Sequence, residues 1–444
     1  MARTRLLSRR RALAMVGGVG VAAGLARPNV ARAADITLSM WTCYPELVAW
    51  YQAVGEAYSK QHPNVKFSFL SSSAREGEQK ITVAVPTGTG PDIYDVTANI
   101  GINFIESGML APNPPEIDAY FKSGAWTKVV ADYFSVKGKT YGLPLFDGRD
   151  ALYYNKTMFK EAGIAAPPDN FPELLAAAQK LVKVDASGKM TRSGISLRLS
   201  GQGSGIAEKW NFLVETAGGA LVVQTPSGKW HNGFDNDAGR SALNFFVEAV
   251  QKYKIDDPKI LHDADAFVSG TTAMLFREPW VIGEIQQKAP TLDYGVVPVP
   301  RWTAAGPHKM LLQPYPIYVN TNKKGGNQEA AWDFLKFLTT PENSLKCTEM
   351  TGWVTARQGV DWQPLLSKTP QFGAFVTPPK DLVFYLDPIM SAFDELETKV
   401  ASLLPPAYVN PALLGNPAKI AEAVHQMAEQ ADRVLKDADL YGTS

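Results

Sequence analysis

Cysteine is nearly absent: Cys43 and Cys347 are the only two in 444 residues. A disulfide-stapled scaffold is therefore excluded, and two lone thiols cannot hold an iron–sulfur cluster. A single bridge between the pair stays open, because spacing cannot bring them together; the default for each is a small buried side chain. Histidine is also scarce. His62, His231, His262, His308 and His425 are scattered and show no H-x-x-x-H or comparable ligand spacing. No G-x-S-x-G elbow occurs. The glycine-rich texts Gly17-Gly18-Val19-Gly20 and Gly201-Gln202-Gly203-Ser204-Gly205 lack the Lys-Ser/Thr of a phosphate loop. With 44 acidic residues, a glycosidase pair could be drawn almost anywhere, so a glycoside-acting enzyme has no specific signal. No metal, no cofactor and no catalytic residue is assigned, and a binding protein is favoured over an exported hydrolase.

Charge of either sign is in balance over the whole chain, 44 Lys and Arg against 44 Asp and Glu. The balance hides a division. Residues 1–33 hold seven arginines and no acid, so the remainder has 44 − 7 = 37 basic residues against 44 acidic, a net charge of about −7. That sign argues against nucleic acid as a partner. The N-terminal segment has the form of an export signal. Arg3, Arg5 and Ser8-Arg9-Arg10-Arg11 make a basic start, residues 12–25 are uncharged and rich in Ala, Gly and Val, and Ala31-Arg32-Ala33 supplies a cleavage site. The arginine pair resembles a twin-arginine signal, with an ordinary secretory n-region as the alternative. No cysteine stands at the cleavage site to take a lipid. No later segment approaches the ~20 apolar residues of a membrane span. The expectation is a soluble, exported, periplasmic monomer.

Residues 36–40 read as a strand ending at Trp41. Residues 45–61 place Leu47, Trp50, Tyr51, Val54 and Tyr58 at helical spacing. A strand at 65–70, a helix at 76–85 and a strand at 92–96 follow, the last after the breaker Pro86-Thr87-Gly88-Thr89-Gly90-Pro91. This β-α-β-α-β order predicts an α/β fold with a largely parallel sheet and a ligand at the carboxyl ends of its strands, on the loops beginning at Trp41 and Thr97. Further strands are expected near 151–154, 194–199, 272–276, 294–297 and 316–319. Helices are expected at 172–182, 237–253, 328–338, 342–350 and 417–435, the last capped by Asn416 before Pro417. The 444 − 33 = 411 residues behind the signal exceed one hydrophobic core, so two lobes are expected. No low-complexity linker separates them, which points to lobes joined by crossing strands.

The order of local phrases resembles the extracellular solute-binding proteins of sugar importers, the family that includes maltodextrin-binding proteins. The phrases are Tyr58-Ser59-Lys60-Gln61-His62-Pro63-Asn64-Val65, Gly90-Pro91-Asp92-Ile93, Gly142-Leu143-Pro144 and Asp147-Gly148-Arg149-Asp150-Ala151-Leu152-Tyr153-Tyr154-Asn155-Lys156. Phe267-Val268-Ser269-Gly270 with Ala273-Met274, Pro279-Trp280, Ala330-Ala331-Trp332-Asp333-Phe334-Leu335-Lys336-Phe337 and Thr351-Gly352-Trp353 complete the series. The resemblance implies a two-lobe periplasmic-binding-protein fold, type II-like, with hinge-crossing strands and a ligand cleft between lobes. One lobe would take residues 34–147 and 310–365, the other 148–309 and 366–444. It further implies a carbohydrate ligand and, as partners, the permease and ATPase subunits of an ABC importer. A polyamine, iron or another small molecule is the alternative cargo. Few acidic cleft candidates argue against a polyamine, and the lack of a His/Tyr/Asp ligand set argues against iron.

Sugar sites combine flat aromatics with planar hydrogen-bonding groups. The candidates are Trp41 and Tyr44 after the first strand, Asn99 after the third, Asp147 and Arg149 at the hinge, Arg277 and Trp280, Tyr315, and Trp353. Each has a structural alternative: core packing for the aromatics, a turn for Asn99, an ion pair for Asp147 with Arg149. Trp332, among Phe334, Leu335, Phe337 and Leu338, reads as core. Two departures from the maltodextrin binders stand out. After the Pro-Asp-Ile strand they carry an aromatic and then an Asp-Arg pair, where this chain has Val96, Asn99 and Ile100. After Pro388-Ile389-Met390-Ser391-Ala392-Phe393, their next aromatic is Asp394 here. A monosaccharide, disaccharide or decorated sugar therefore fits better than a long glucan, and Arg149 and Arg277 leave room for an acidic ligand.

Overall fold

The computed structural model describes residues 34–200 and 205–443. The export-signal reading of 1–33 and the glycine-rich text at 201–204 lie outside the described residues.

A five-stranded sheet organises the first half. Its strands are β1 (Ile36–Thr42), β2 (Val65–Ser71), β3 (Ile93–Asp95), β4 (Leu143–Gly148) and a late arrival, β8 (Gln313–Val319), in the order β2-β1-β3-β8-β4. In β1, Leu38, Met40 and Thr42 alternate into the interior, the period-2 signature of a strand. Helix α1 (Val48–Gln61) buries Trp50, Tyr51, Val54 and Tyr58, which share one face at helical spacing. Helices α2 (Ala74–Ala84) and α3 (Ala98–Glu106) fill the next two crossovers. The sheet is mixed rather than largely parallel. β1 pairs in parallel with β2 and β3, but β8 runs antiparallel to both β3 and β4. The reason is the route of the chain, since β8 re-enters this sheet only after the second one has been built.

Two prolines sit in β8, Pro314 and Pro316, where a central strand would lose ladder bonds. They are tolerated because β3 pairs only with residues 317–319, and the register against β4 shifts between Tyr315 and Pro316. Such a bulge bends the strand and re-aims a side chain.

The second sheet has β5 (Ala151–Asn155) at its centre, flanked antiparallel by β6 (Met274–Arg277) and β7 (Tyr294–Val297). The strand expected at 194–199 is reduced to isolated parallel bridges, Ser193 with Thr272 and Ser196 with Leu275. Two local features stop it. The Leu197 N–H donates to Asp256 Oδ2 at 2.8 Å instead of to a neighbouring strand, and Arg198 turns left-handed at φ +53°. Around this sheet pack α4 (Gly205–Thr216), α5 (Trp280–Lys288), α6 (Phe393–Tyr408) and α7 (Pro417–Asp437). As the sequence suggested, Asn416 Oδ1 accepts from Lys419 N at 3.2 Å and caps α7.

Two large apolar cores result. One runs from Leu38 to Phe146 and resumes from Leu312 to Ala356; the other joins Leu152 through Val299 to Met390 through Leu435. Trp332 lies in the first core, as expected. Cys43 and Cys347 are both buried free thiols, so the possible bridge between them does not form. Among the described residues, no helix is long and apolar enough to cross a membrane.

Candidate ligand cleft

Two adjoining cavities of about 400 and 580 Å³ share Arg198, Glu208, Glu278 and Tyr315 on their walls. The smaller is also lined by Tyr44 and by Thr97, Ala98 and Asn99, which follow the carboxyl ends of β1 and β3. The larger reaches Glu46, Trp280, Thr351 and Trp353. Strand ends from one sheet thus face side chains carried by the other, which is where an α/β fold exposes loops free of ladder bonds.

One wall is aromatic: Tyr44, Tyr315 and Trp353 line the cavities, backed by the fully buried Phe146. Phe146 stacks on Tyr315 at 4.7 Å between centroids, Trp353 leans on Phe146 at 4.5 Å, and Tyr44 meets both Phe146 and Tyr315 edge-on at 5.2 and 5.5 Å. The polar tips are tied down: Tyr315 Oη donates to Gln313 Oε1 at 2.9 Å and Trp353 Nε1 to Glu46 Oε1 at 2.8 Å. Gly352 turns the chain into Trp353 at φ +84°, and a Cβ there would lie 2.8 Å from Trp280 Cα. Only glycine lets these two aromatic segments approach so closely.

The opposite wall is ionic. Arg277 Nε donates to Asp263 Oδ1 at 2.6 Å and Nη1 to Glu278 Oε2 at 2.9 Å, while its guanidinium lies 5.2 Å from the Trp280 ring centre. Trp280 Nε1 in turn donates to Glu278 Oε2 at 3.0 Å. Arg198 Nη1 pairs with Glu208 at 2.9 Å, and buried Lys209 lies between Glu208 at 3.2 Å and Asp150 at 3.3 Å. Burial pushes the Glu208 carboxyl up, but Lys209, Arg198 and Arg277 outweigh it and hold it below the usual range. Asp150, with burial dominating over Lys209, is raised to about 6.

At the floor of the smaller cavity are Glu78 from α2, Asp387, and Asp394 and Glu397 from α6. Burial raises Glu78 and Asp387 each to about 7. Asn211 Nδ2 donates to Asp387 Oδ1 at 2.7 Å. Arg75, whose side chain is 62% exposed, approaches Glu78 at 3.7 Å from the mouth.

Of the residues expected from sequence, Tyr44, Asn99, Arg277, Trp280, Tyr315 and Trp353 line the two cavities. Asn99 is mostly taken up by structure, its Oδ1 accepting from Met390 N at 3.0 Å and so holding that segment beside the floor. The other three stand apart. Trp41 lies half-buried on β1 against the first core, because strand alternation turns it away from Tyr44's loop. Asp147 and Arg149 form an ion pair of 2.6 Å, and Arg149 also donates to Phe375 O at 2.8 Å, so the pair braces the crossing between β4 and β5 and lines neither cavity. Neither Arg149 nor Arg277 is a spare cation for an acidic ligand, since each is engaged by carboxylates. The reading that the cleft has few acids is also overturned: six carboxyl side chains and two arginines line the smaller cavity. Glu278 directly precedes Pro279-Trp280 and Asp394 directly follows residues 388–393, so both have a local signal in the sequence. Glu78, Glu208, Asp387 and Glu397 carry no local signal.

A family model described as bacterial extracellular solute-binding protein matches residues 44–344. A binding protein of Brucella abortus (strain 2308) is 24% identical over 438 residues, 94% of this chain and 98% of that one. The maltotriose-binding protein of Pyrococcus abyssi is 25% identical over 309 residues, 68% of this chain and 62% of that one. Among solved structures, an ABC transporter solute-binding protein of Thermotoga lettingae, bound with α-D-tagatose, superposes with a TM-score of 0.73 at 21% identity, over 90% of this chain and 99% of that one. That likeness establishes the two-lobe fold.

Proposed function

The chain belongs to the bacterial extracellular solute-binding proteins, a family of binding proteins and not of enzymes, and from that premise we propose that it captures a small carbohydrate and delivers it to an ABC permease. The observation that carries this reading is the pairing, across one cleft, of the Tyr44–Phe146–Tyr315–Trp353 block with the Arg198–Glu208–Arg277–Glu278 network. Ring faces cover the apolar C–H face of a sugar, and planar charged groups take its in-plane hydroxyls. Cavities of about 400 and 580 Å³ suit a monosaccharide, disaccharide or decorated sugar. The tagatose bound by the Thermotoga lettingae protein is of that size class.

The lobes would comprise 34–147 with 310–365, and 148–309 with 366–444, supported by the two apolar cores. A ligand touching both would favour the closed arrangement by its differential affinity for that state, and the closed form would engage the permease and its ATPase. Export through residues 1–33, a periplasmic location and a monomeric state belong to the same proposal.

Thermal unfolding of residues 34–444 against a panel of neutral, acidic and amino sugars, polyols and polyamines tests it. A true ligand at a hundredfold excess over its dissociation constant adds about 2.7 kcal/mol of stability. A clear shift from a sugar supports the reading; silence from every saccharide and polyol rejects it.

A further inference from the structure

We infer that this cleft takes an ammonium-bearing saccharide, its amine seated against Glu397; the inference rests on the carbohydrate reading above. The carboxylates of the cleft fall into two groups. Glu208 and Glu278 are matched by Arg198, Lys209 and Arg277 within 3.5 Å. The floor group, Glu78, Asp387, Asp394 and Glu397, faces one described cation besides the Arg198 of the wall: Arg75, which lies 3.7 Å from Glu78 and whose charge also acts on Asp394 and Glu397 from farther off. Asp387 is satisfied by a neutral amide, Asn211, and Asp394 draws on Asn99.

Glu397 is the decisive side chain. It is 8% exposed, lines the cavity, and among the described residues accepts no hydrogen bond and enters no ion pair. A carboxyl so buried is ordinarily paired, because an unmet acceptor costs the desolvation of the group. Burial and the nearby carboxylates Asp387, Glu208 and Asp394 push its pKa well above the usual carboxylate range, and the charge of Arg75 offsets only part of that rise. A ligand cation entering here supplies the missing partner and three donors.

The rest of the cavity selects a sugar over a bare amine. Tyr44, Tyr315 and Phe393 line it beside the floor, and Gln313 and Arg198, held by Tyr315 and by Glu208 and Asp263, add polar groups to its wall. An acyclic diamine would leave the aromatic block uncovered.

The test is calorimetric titration of the whole chain with glucosamine and a deacetylated glucosamine disaccharide, their N-acetylated counterparts, the neutral parent sugars, and putrescine. The amines are expected to bind at least about tenfold tighter than the N-acetylated forms, as a hydrogen bond to a charged partner allows. That gap narrows in about 0.5 M salt, where screening is short-ranged. Glu397→Gln collapses the ratio of the two affinities; the parent protein's discrimination alone decides the matter if the variant does not fold. Equal affinity for amine and N-acetyl forms, or a ratio unchanged by Glu397→Gln, overturns the inference. Binding of neutral sugars without amines overturns it and leaves the proposed function standing. Binding of putrescine with no saccharide overturns both.

Discussion

Replacing Arg277 by methionine is the sharpest structural perturbation of the cleft. The side chain is 12% exposed and faces Asp263 at 2.6 Å, Glu278 at 2.9 Å and Glu208 at 3.5 Å. Methionine keeps most of the volume and the contact with Trp280 but removes the charge. The three carboxylates are then left unequally. Glu208 retains Arg198 and Lys209, and Asp263 retains Arg198 at 3.5 Å. Glu278, with an 11% exposed side chain, keeps among the described residues the Trp280 indole N–H and the more distant charge of Lys209. Removing one partner of a buried pair costs about 3–5 kcal/mol, mostly the burden of the stranded charge. Arg277→Met should lose about that much in urea unfolding followed by circular dichroism, with an unchanged slope. The double variant Arg277→Met/Glu278→Gln removes the stranded charge and should recover part of the loss, ending about 1–3 kcal/mol below the parent. Arg277→Lys, which keeps the charge but not the planar fork, should also fall between these limits. A single variant within about 0.5 kcal/mol of the parent, or a double variant no more stable than the single, refutes the network as a support of this wall.

Four further outcomes are expected. Trp280→Ala should weaken binding of whichever sugar gives the largest thermal shift by roughly tenfold or more, since a half-buried indole on the cavity wall is a typical anchor; titration calorimetry checks it. Gly352→Ala should destabilise by at least about 2 kcal/mol in the same urea assay, because it combines a left-handed φ of +84° with a Cβ 2.8 Å from Trp280 Cα. Neither thiol should react with an aromatic disulfide reagent in the native protein and both should react in urea, as burial raises Cys43 far above the thiol range and Cys347 to about 12. Burial raises Asp387 from 3.8 to about 7, so its contribution to stability is fully present below pH 3.8 and lost as pH rises through 7. Asp387→Asn should therefore gain on the parent more at pH 8 than at pH 4 in thermal midpoint, and an equal difference at both refutes the assignment.

Much of the fold was legible because it is written in nearest-neighbour chemistry. The β1–α1–β2–α2–β3 run emerged within two residues of its observed bounds at most ends, from period-2 and period-3.6 apolar spacing that one element displays unaided. Asn416-Pro417 announced α7, and the loops after Trp41 and Thr97 led to Tyr44 and Asn99 on the cavity wall. What failed was non-local. The strand expected at 194–199 has the right residue types, yet Asp256 captures its Leu197 N–H and Arg198 turns out of the extended region. The antiparallel entry of β8 depends on where the chain has been in between, which no window of sequence records.

The sequence by itself determined the family, the α/β class, the aromatic supply of the cleft and the separation of a basic N-terminal segment from an acidic remainder. Only the tertiary structure decided the electrostatics of the site. Arg149 and Arg277 look alike as text, but one braces the crossing from β4 to β5 against Asp147 and the other fills a cage of carboxylates. Glu78 and Glu397 are unremarkable surface-type letters far apart in the chain, brought onto one floor by α2 and α6. A charge acquires its meaning from burial and from partners that lie elsewhere in sequence, and those follow from packing rather than from the residues beside it.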